Sequence, residues 1–136
     1  MYRIFDHTAD IGIAGCSKSI EGLFSEMAAG LFSLLVDDPG SIRPVSMVQV
    51  RINEPDRELL LFDWLSELLY QFDGRGMLLS QFEVSLKADL LIGRASGELV
   101  DEVRHSLQHE VKAITYHQLK VWQEQGNWKG QVIVDI

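Results

Sequence analysis

Residues 6–10 bring together several side chains that could do chemistry near the start of the chain. Two carboxylates, one imidazole and one hydroxyl lie within Asp6-His7-Thr8-Ala9-Asp10. Hard divalent cations prefer clustered carboxylate and carbonyl oxygens. The segment is therefore a candidate metal site, and a polar turn or a cap is the structural alternative for the same residue types.

The last two residues form a second candidate. Asp135 brings a side-chain carboxylate and Ile136 the α-carboxylate, directly after the apolar residues 132–134. Chain ends usually fray, but a strand that continues to the final residue would hold both groups in place. Two adjacent negative charges repel each other unless a cation or a basic group lies between them. The pair is thus a candidate cation ligand, with a solvated terminus as the alternative.

The other reactive side chains give weaker evidence of a functional site. His105 and His109 have the i, i+4 spacing of two zinc ligands on one helix face, but no metalloprotease glutamate or cysteine pair accompanies them. We therefore expect ordinary surface histidines. Cys16 is a lone thiol and is expected to be a small packed residue. A Ser-His-Asp motif, a phosphate loop and a dinucleotide fingerprint are all missing from the sequence, so no catalytic residue is assigned.

One helix and one strand are predicted in the first third of the chain. Apolar residues follow helical spacing over residues 20–35, with Ser17 or Ser19 as the N-terminal cap. Residues 37–40 contain Asp, Pro and Gly and are expected to end this helix. Alternating apolar and polar residues over 48–53 predict a half-buried strand.

A second helix and a long strand are predicted next. Asp56 is the expected cap of the helix, its apolar stripe runs through residues 59–72, and Gly74 is the expected C-terminal stop. Alternation over residues 82–90 predicts a strand. The alternation breaks at residues 91–93, which indicates a bulge or bend.

The last third is predicted to be a loop followed by a hairpin. Residues 101–109 are polar and predict a loop with a helical turn. Residues 114–122 and 128–136 read as strands that flank the turn signal Gln125-Gly126-Asn127. The final strand is apolar without alternation over residues 132–134, as expected of a central strand. Strands interleaved with two helices predict an α+β sandwich with a mostly antiparallel sheet and the helices on one sheet face.

Composition narrows the class of protein and its partners. The chain has 136 residues, of which 46% are hydrophobic, as expected of a single globular domain spanning 1–136. No apolar run reaches membrane-spanning length, the start lacks a secretory pattern, and Cys16 is the only cysteine, which together favour the cytoplasm. The net charge of −8 disfavours stable direct binding to nucleic acid and favours a cation or a basic protein partner.

Four motifs, taken in order, resemble those of the archease family. They are similar to its N-terminal signature, its second helix, its central strand signature and its C-terminus, and the resemblance spans nearly the whole chain. The corresponding residues are 6–13 (DHTADIGI), 64–70 (WLSELLY), 104–105 (RH) with 110–117 (EVKAITYH), and 132–136 (VIVDI).

The resemblance implies a fold and a function. The family fold is a strand-helix-strand-strand module that carries an inserted second module. Archeases assist RtcB-type RNA ligases, which join a 2′,3′-cyclic-phosphate or 3′-phosphate end to a 5′-hydroxyl end. They promote guanylylation of the ligase histidine, allow multiple turnovers and broaden nucleotide use. The resemblance therefore implies an accessory protein of tRNA splicing and RNA repair, with an RtcB-type ligase as partner, that does not itself catalyse ligation.

The family's metal site, carried over by motif, falls on Asp10, Asp135 and the terminal carboxylate of Ile136. Asp6, His7 and Lys112 are the candidates for supporting roles. Oxygen ligands of this kind suit calcium, the first expectation in a structure, and also magnesium or manganese.

Two other functions remain open at this point. A modulator or chaperone of RNA-processing enzymes would act by binding alone and would not need the carboxylates. A metal-dependent phosphate-ester hydrolase would use Asp10, His7 and Asp135 and would turn over without a partner, although no evident nucleophile accompanies that cluster. The sequence does not define the oligomeric state.

Overall fold

The computed structural model describes residues 1–7 and 9–136 and shows an α+β fold with two helices and eight strands in that part of the chain. Antiparallel pairing joins all the strands. In chain order the elements are β1 (Tyr2–His7), β2 (Asp10–Ser17), α1 (Ile20–Leu35), β3 (Ser46–Asn53), α2 (Arg57–Arg75), β4 (Met77–Lys87), β5 (Leu90–Leu99), β6 (Ala113–Ile114), β7 (Lys120–Glu124) and β8 (Asn127–Asp135).

Strands from both ends of the chain form the first sheet. Its order is β1-β2-β8-β6, and β7 also pairs with β8. The strands between them form a second sheet in the order β3-β5-β4. This confirms the expected α+β fold, in which a module built from the two chain ends carries an inserted second module. It also confirms that residues 132–134 belong to a central strand, since β8 pairs with β2, β6 and β7.

Local signals account for most helix ends. The hydroxyl of Ser19 accepts a hydrogen bond from the N–H of Gly22 at the start of α1, so Ser19 is the cap and Ser17 is not. The carboxylate of Asp56 caps α2 by accepting from the N–H groups of Glu58 and Leu59. The prediction that Gly74 stops α2 is wrong. The helix continues to Arg75 and ends at Gly76, whose φ of 69° is the left-handed conformation that glycine adopts without strain.

A single hydrophobic core connects the two sheets and the two helices. Helix α1 packs against strands of both sheets, and α2 packs against α1 and against β3, β4, β6 and β7. The indole of Trp64 is fully buried and donates a hydrogen bond to the carbonyl of Phe24 at 3.0 Å. A Cβ atom on Gly93 would lie 2.3 Å from the ring of Trp64, so this glycine allows α2 to approach β5 closely. No helix of the described residues has the length and apolarity needed to cross a membrane.

Two hairpins set the strand boundaries. The hairpin predicted at Gln125-Gly126-Asn127 is confirmed, and its turn consists of Gln125 and Gly126, which both have positive φ, while Asn127 already belongs to β8. The bend predicted at residues 91–93 is wrong. The chain reverses earlier, at Ala88 and Asp89, and residues 91–93 lie within the regular strand β5. The irregularity in this sheet falls in β4 between Leu79 and Gln81.

The strand predicted over residues 114–122 is also interrupted. β6 ends at Ile114, and β7 begins only at Lys120. In the intervening segment, the N–H and the hydroxyl of Thr115 both donate to the carbonyl of Ile133, while Gln118 adopts a positive φ of 53°. The hydroxyl of Thr115 thus forms a hydrogen bond to β8 at the point where the regular strand ladder ends. Beyond it the chain continues as a loop that lies against β8.

Candidate functional site

His7, Asp10 and Asp135 lie in one row across three adjacent strands of the first sheet. His7 at the end of β1 is the register partner of Asp10 at the start of β2. β2 pairs with β8 through Ile11 and Val134, so one further step in the same register sets Asp10 opposite Asp135. Residues directly opposite each other in an antiparallel sheet point to the same face, with Cβ atoms about 4.5–5.5 Å apart. We refer to these three residues as the acidic row.

The acidic row points away from the core. Ile11 and Val134, the immediate neighbours of the two aspartates, are buried, so alternation turns Asp10 and Asp135 to the opposite face of the sheet. Asp10 is half-buried and Asp135 is exposed. Neither carboxylate takes part in any ion pair recorded for residues 1–7 and 9–136. The two carboxylates therefore share one sheet face, and neither forms an ion pair with a described residue.

Backbone contacts hold the end of β8 in place beside the acidic row. The N–H of Lys112 donates to the carbonyl of Asp135 at 2.7 Å, and Asp135 is the register partner of Ala113 in β6. The contact that Lys112 makes here is through its backbone, and its side chain is exposed. Ile136 is half-buried and packs against the core. This packing holds the backbone of Ile136 next to that of Asp135.

His7 contributes an imidazole whose two nitrogens differ. Its Nε2 lies 3.2 Å from the side-chain amide nitrogen of Gln118, and its ring meets that of His117 edge-on at a centroid distance of 5.0 Å. With Nε2 accepting from the amide, a neutral ring carries its proton on Nδ1. That Nδ1 is buried and has no hydrogen-bond partner among the described residues. The contacts that position the imidazole of His7 are therefore those with Gln118 and His117.

The other residues proposed from the sequence lie outside this row. Asp6 is exposed and pairs with Ile11, so it points to the face opposite that of Asp10. Thr8 lies outside the described residues. Sequence reasoning missed Gln118 and His117, because it placed both in a regular strand, whereas the loop after Thr115 brings them to His7.

The predicted ligands Asp10, Asp135 and the terminal carboxylate of Ile136 would offer oxygen donors, the type that a hard divalent cation prefers. Within the described part of the chain, no three His, Cys, Asp or Glu side chains form a metal-binding group. The predicted set consists of only two side-chain carboxylates, and its third member is a main-chain carboxylate. All are oxygen donors, as calcium, magnesium and manganese prefer. An open arrangement on a sheet face also leaves coordination positions for water or for groups of a partner.

A second polar cluster, formed by Glu98, Arg104 and His105, is organised differently. Glu98 lies near the end of β5 and is buried, with 8% of its surface exposed. Its carboxylate accepts hydrogen bonds from the backbone N–H of Arg43 at 2.7 Å, from the guanidinium of Arg104 and from Nε2 of His105 at 3.0 Å. We call these three side chains the Glu98 cluster.

The Glu98 cluster corrects the expectation for His105. This residue is buried, with 2% of its surface exposed, and is not a surface histidine. Its Nδ1 accepts the N–H of Asp101 at 2.9 Å, which leaves the proton of the neutral ring on Nε2, facing Glu98. The guanidinium of Arg104 also donates to the carbonyl of Ser41 at 3.1 Å. The cluster thereby ties residues 101–109 to β5 and to the segment that follows α1.

The electrostatics of Glu98 follow from these donors. The N–H of Arg43 contributes most, and the hydrogen bonds from His105 and Arg104 add to it. Together they outweigh the opposing effect of burial and lower the pKa of Glu98 from its ordinary value of 4.5 to about 2. The carboxylate therefore remains ionised and accepts three hydrogen bonds, which is the arrangement of a structural element.

Comparisons with known proteins agree with this fold. The model of the Archease protein family (MTH1598/TM1083) matches residues 2–136. Protein archease of Pyrococcus furiosus is 36% identical over 137 residues, covering 97% of this chain and 96% of that protein. Protein archease of Methanosarcina mazei is 35% identical over 145 residues, covering 99% and 95%.

Two solved structures share the architecture. The solution structure of Methanobacterium thermoautotrophicum protein 1598 superimposes with a TM-score of 0.88 at 35% identity, covering 99% of this chain and 98% of that one. A crystal structure from Thermotoga maritima, described as an archease and possible chaperone, has a TM-score of 0.63 at 20% identity and covers 100% and 98%, which supports the fold alone. The match over residues 2–136 and the near-full-length relatives show that the chain belongs to the archease family.

Proposed function

We propose that this protein activates an RtcB-type RNA ligase by promoting guanylylation of the ligase and its repeated turnover, and by broadening its nucleotide use. Membership of the archease family supports the choice of partner. The observation that carries the chemistry is the acidic row, in which two carboxylates that form no ion pair with a described residue share one sheet face beside the core-packed Ile136. Like charges at this spacing favour a bound cation between them.

Asp10, Asp135 and the terminal carboxylate of Ile136 would hold the divalent ion. When bound, the ion supplies positive charge that neutralises phosphate oxygens of a nucleotide. The chain's own groups then have defined tasks. The N–H of Lys112 fixes the backbone of Asp135, and the core packing of Ile136 fixes the carboxylate beside it. Gln118 and His117 contact the imidazole of His7 and hold it at the register position next to Asp10.

The direct test is a guanylylation assay. An RtcB-type ligase from the same source, GTP and manganese would be combined with substoichiometric amounts of this protein. We expect faster guanylylation and more than one turnover per ligase. No effect over a range of protein ratios would contradict the proposed function.

Paired variants test the role of the acidic row. We expect Asp10→Asn and Asp135→Asn each to abolish stimulation, because each removes one negative oxygen donor while preserving side-chain shape. Asp6→Asn is the matched control, since Asp6 lies in the same segment but points to the opposite face, and it should stimulate normally. Far-ultraviolet circular dichroism would establish that all three variants fold. Normal stimulation by Asp10→Asn would refute the metal-site mechanism and would favour a modulator that acts by binding alone.

A further inference from the structure

Strand β3 presents an open edge. It is an outer strand of the β3-β5-β4 sheet, and its pairing with β5 is regular from Ser46 to Asn53. One residue further on, the N–H of Glu54 donates to the carbonyl of Asp89. Hydrogen-bonded and non-hydrogen-bonded positions alternate along an antiparallel ladder. The N–H and C=O groups of residues 47, 49, 51 and 53 must therefore point outward, away from β5, as a row of free donors and acceptors.

A groove runs along this open edge. Its volume is about 740 Å³, and it lies between residues 49–53 of β3 and one face of α2. The helix wall consists of Asp63, Ser66, Glu67 and Tyr70, at the i, i+3, i+4, i+7 spacing of a single helix face. A strand edge beside a helix face is an arrangement in which an extended peptide can add to a sheet while its side chains contact the helix.

Charge on the helix wall indicates what such a peptide would carry. Asp63 and Glu67 contribute two carboxylates, and Arg51 is the one basic residue that lines the groove within residues 1–7 and 9–136. Burial, and secondarily the nearby charge of Glu54, raises the pKa of Asp63. The wall therefore holds carboxylates close enough to other negative charge that a basic side chain would relieve repulsion.

The opposite edge of the same sheet is closed to such addition. β4 contains an irregularity between Leu79 and Gln81, and the carbonyl of Phe82 accepts the hydroxyl of Ser25 in α1 at 3.4 Å. Bulges and covering helices are the means by which proteins block strand addition. The pairing of β3 shows no such register shift, and the strand contains no proline.

We propose that the groove between β3 and α2 binds an extended, lysine- or arginine-bearing segment of a partner protein, which adds as a strand to the edge of β3. The free backbone groups at residues 47, 49, 51 and 53 supply the affinity, and the carboxylates of Asp63 and Glu67 select basic side chains. This docking surface is separate from the acidic row and does not depend on the identity of the ligase partner.

The test uses a defined probe, a blocked ten-residue peptide of alternating lysine and valine, titrated into isotope-labelled protein and followed by nuclear magnetic resonance. We expect saturable shifts confined to β3 and α2, and slower amide exchange at residues 47, 49, 51 and 53. A peptide with aspartate in place of lysine should bind far more weakly. A peptide methylated on alternate backbone nitrogens should lose binding, because it cannot form the ladder.

Matched variants separate the groove from general charge. The double variant Asp63→Asn with Glu67→Gln should weaken binding of the lysine peptide by roughly fivefold to tenfold, the scale of two partly exposed charge pairs. The double variant Glu83→Gln with Asp89→Asn removes the same charge from exposed positions outside the groove lining and should bind as the unaltered protein does. Equal weakening by both variants, unchanged binding of the methylated peptide, or no binding at millimolar peptide would overturn the proposal. Concentration-dependent self-association through β3 would also overturn it, since the edge would then belong to a second copy of this chain.

Discussion

The Glu98 cluster and the acidic row both combine carboxylates with histidine, and they differ in how their polar atoms are partnered. Glu98 accepts from three donors, and His105 uses both ring nitrogens. In the acidic row, Asp10 and Asp135 face each other without a recorded ion pair, and Nδ1 of His7 has no partner within the described residues. Glu98 and His105 are buried, whereas the acidic row lies on the outer face of a sheet.

The contrast distinguishes polar groups that stabilise the fold from polar groups that are available to bind a ligand. A buried charge whose hydrogen bonds are all made has no capacity left for a ligand, and removing one member leaves the others uncompensated. A group of like charges at the surface contributes little to folding and retains its full capacity to bind a cation. We therefore expect the Glu98 cluster to govern stability and the acidic row to govern activity.

The largest expected effect on folding is that of His105→Ala. The change removes a buried ring and leaves the N–H of Asp101 without its acceptor, so we expect a loss of about 2–4 kcal/mol in the free energy of unfolding. His109→Ala, a change at a half-buried histidine of the same loop, is the control and should cost clearly less. Asp10→Asn should change stability by no more than about 0.5 kcal/mol. Urea unfolding would give the free energy of unfolding of all three variants. A loss for Asp10→Asn as large as that for His105→Ala would contradict the assignment of stability to the Glu98 cluster.

The second effect is a dependence of stability on pH. The pKa of Glu98 is lowered from 4.5 to about 2 in the folded protein. A lowered folded-state pKa means that the carboxylate contributes stability above pH 4.5, and that this contribution is lost as the pH falls towards 2.

We therefore expect Glu98→Gln to be less stable than the unaltered protein at neutral pH and to approach it as the pH falls through this range. Urea unfolding at a series of pH values measures both curves. Glu124→Gln is the control, because it removes an exposed carboxylate whose pKa is lowered mainly by Lys129. If stability depends on pH in the same way in Glu98→Gln and in the unaltered protein, Glu98 is not the source of the pH dependence.

The smallest expected effect on folding belongs to the end of the chain. One glycine added after Ile136 moves the terminal carboxylate by about 3.3 Å. Misplacing a ligating group on this scale should reduce stimulation of the ligase by roughly tenfold, with little change in stability. Ile136→Val keeps the carboxylate in place and serves as the control. Full activity of the extended protein would remove Ile136 from the proposed site.

Sequence signals predicted the secondary structure well where its ends depend only on neighbouring residues. Ser19 and Asp56 cap their helices because a side-chain oxygen next to a helical run can accept from free N–H groups regardless of the rest of the fold. The turn at Gln125 and Gly126 likewise needs only two residues with positive φ between two strands.

The errors fall where a contact distant in sequence decides the outcome. Residues 115–119 alternate as a strand would, yet Thr115 bonds to Ile133 and the chain leaves the ladder. The sequence around His105 is polar, as expected of a surface residue, yet His105 is buried against Glu98. The N–H of Arg43, 55 residues away in the sequence, stabilises the carboxylate of Glu98. Residues 91–93 show a broken pattern because both sides of β5 are partly covered, and periodicity cannot distinguish such a strand from a bend.

The α+β class, the two capped helices and the final hairpin could be predicted from the sequence, because helix caps, turn residues and hydrophobic periodicity act over a few neighbouring residues. The four ordered motifs indicated the archease family. Which polar groups come into contact depends on the tertiary fold. The register of β1, β2 and β8 aligns His7, Asp10 and Asp135. The fold also brings the buried Glu98 into contact with its hydrogen-bond donors. Both outcomes depend on pairing between distant segments, and no local pattern of residues encodes that pairing.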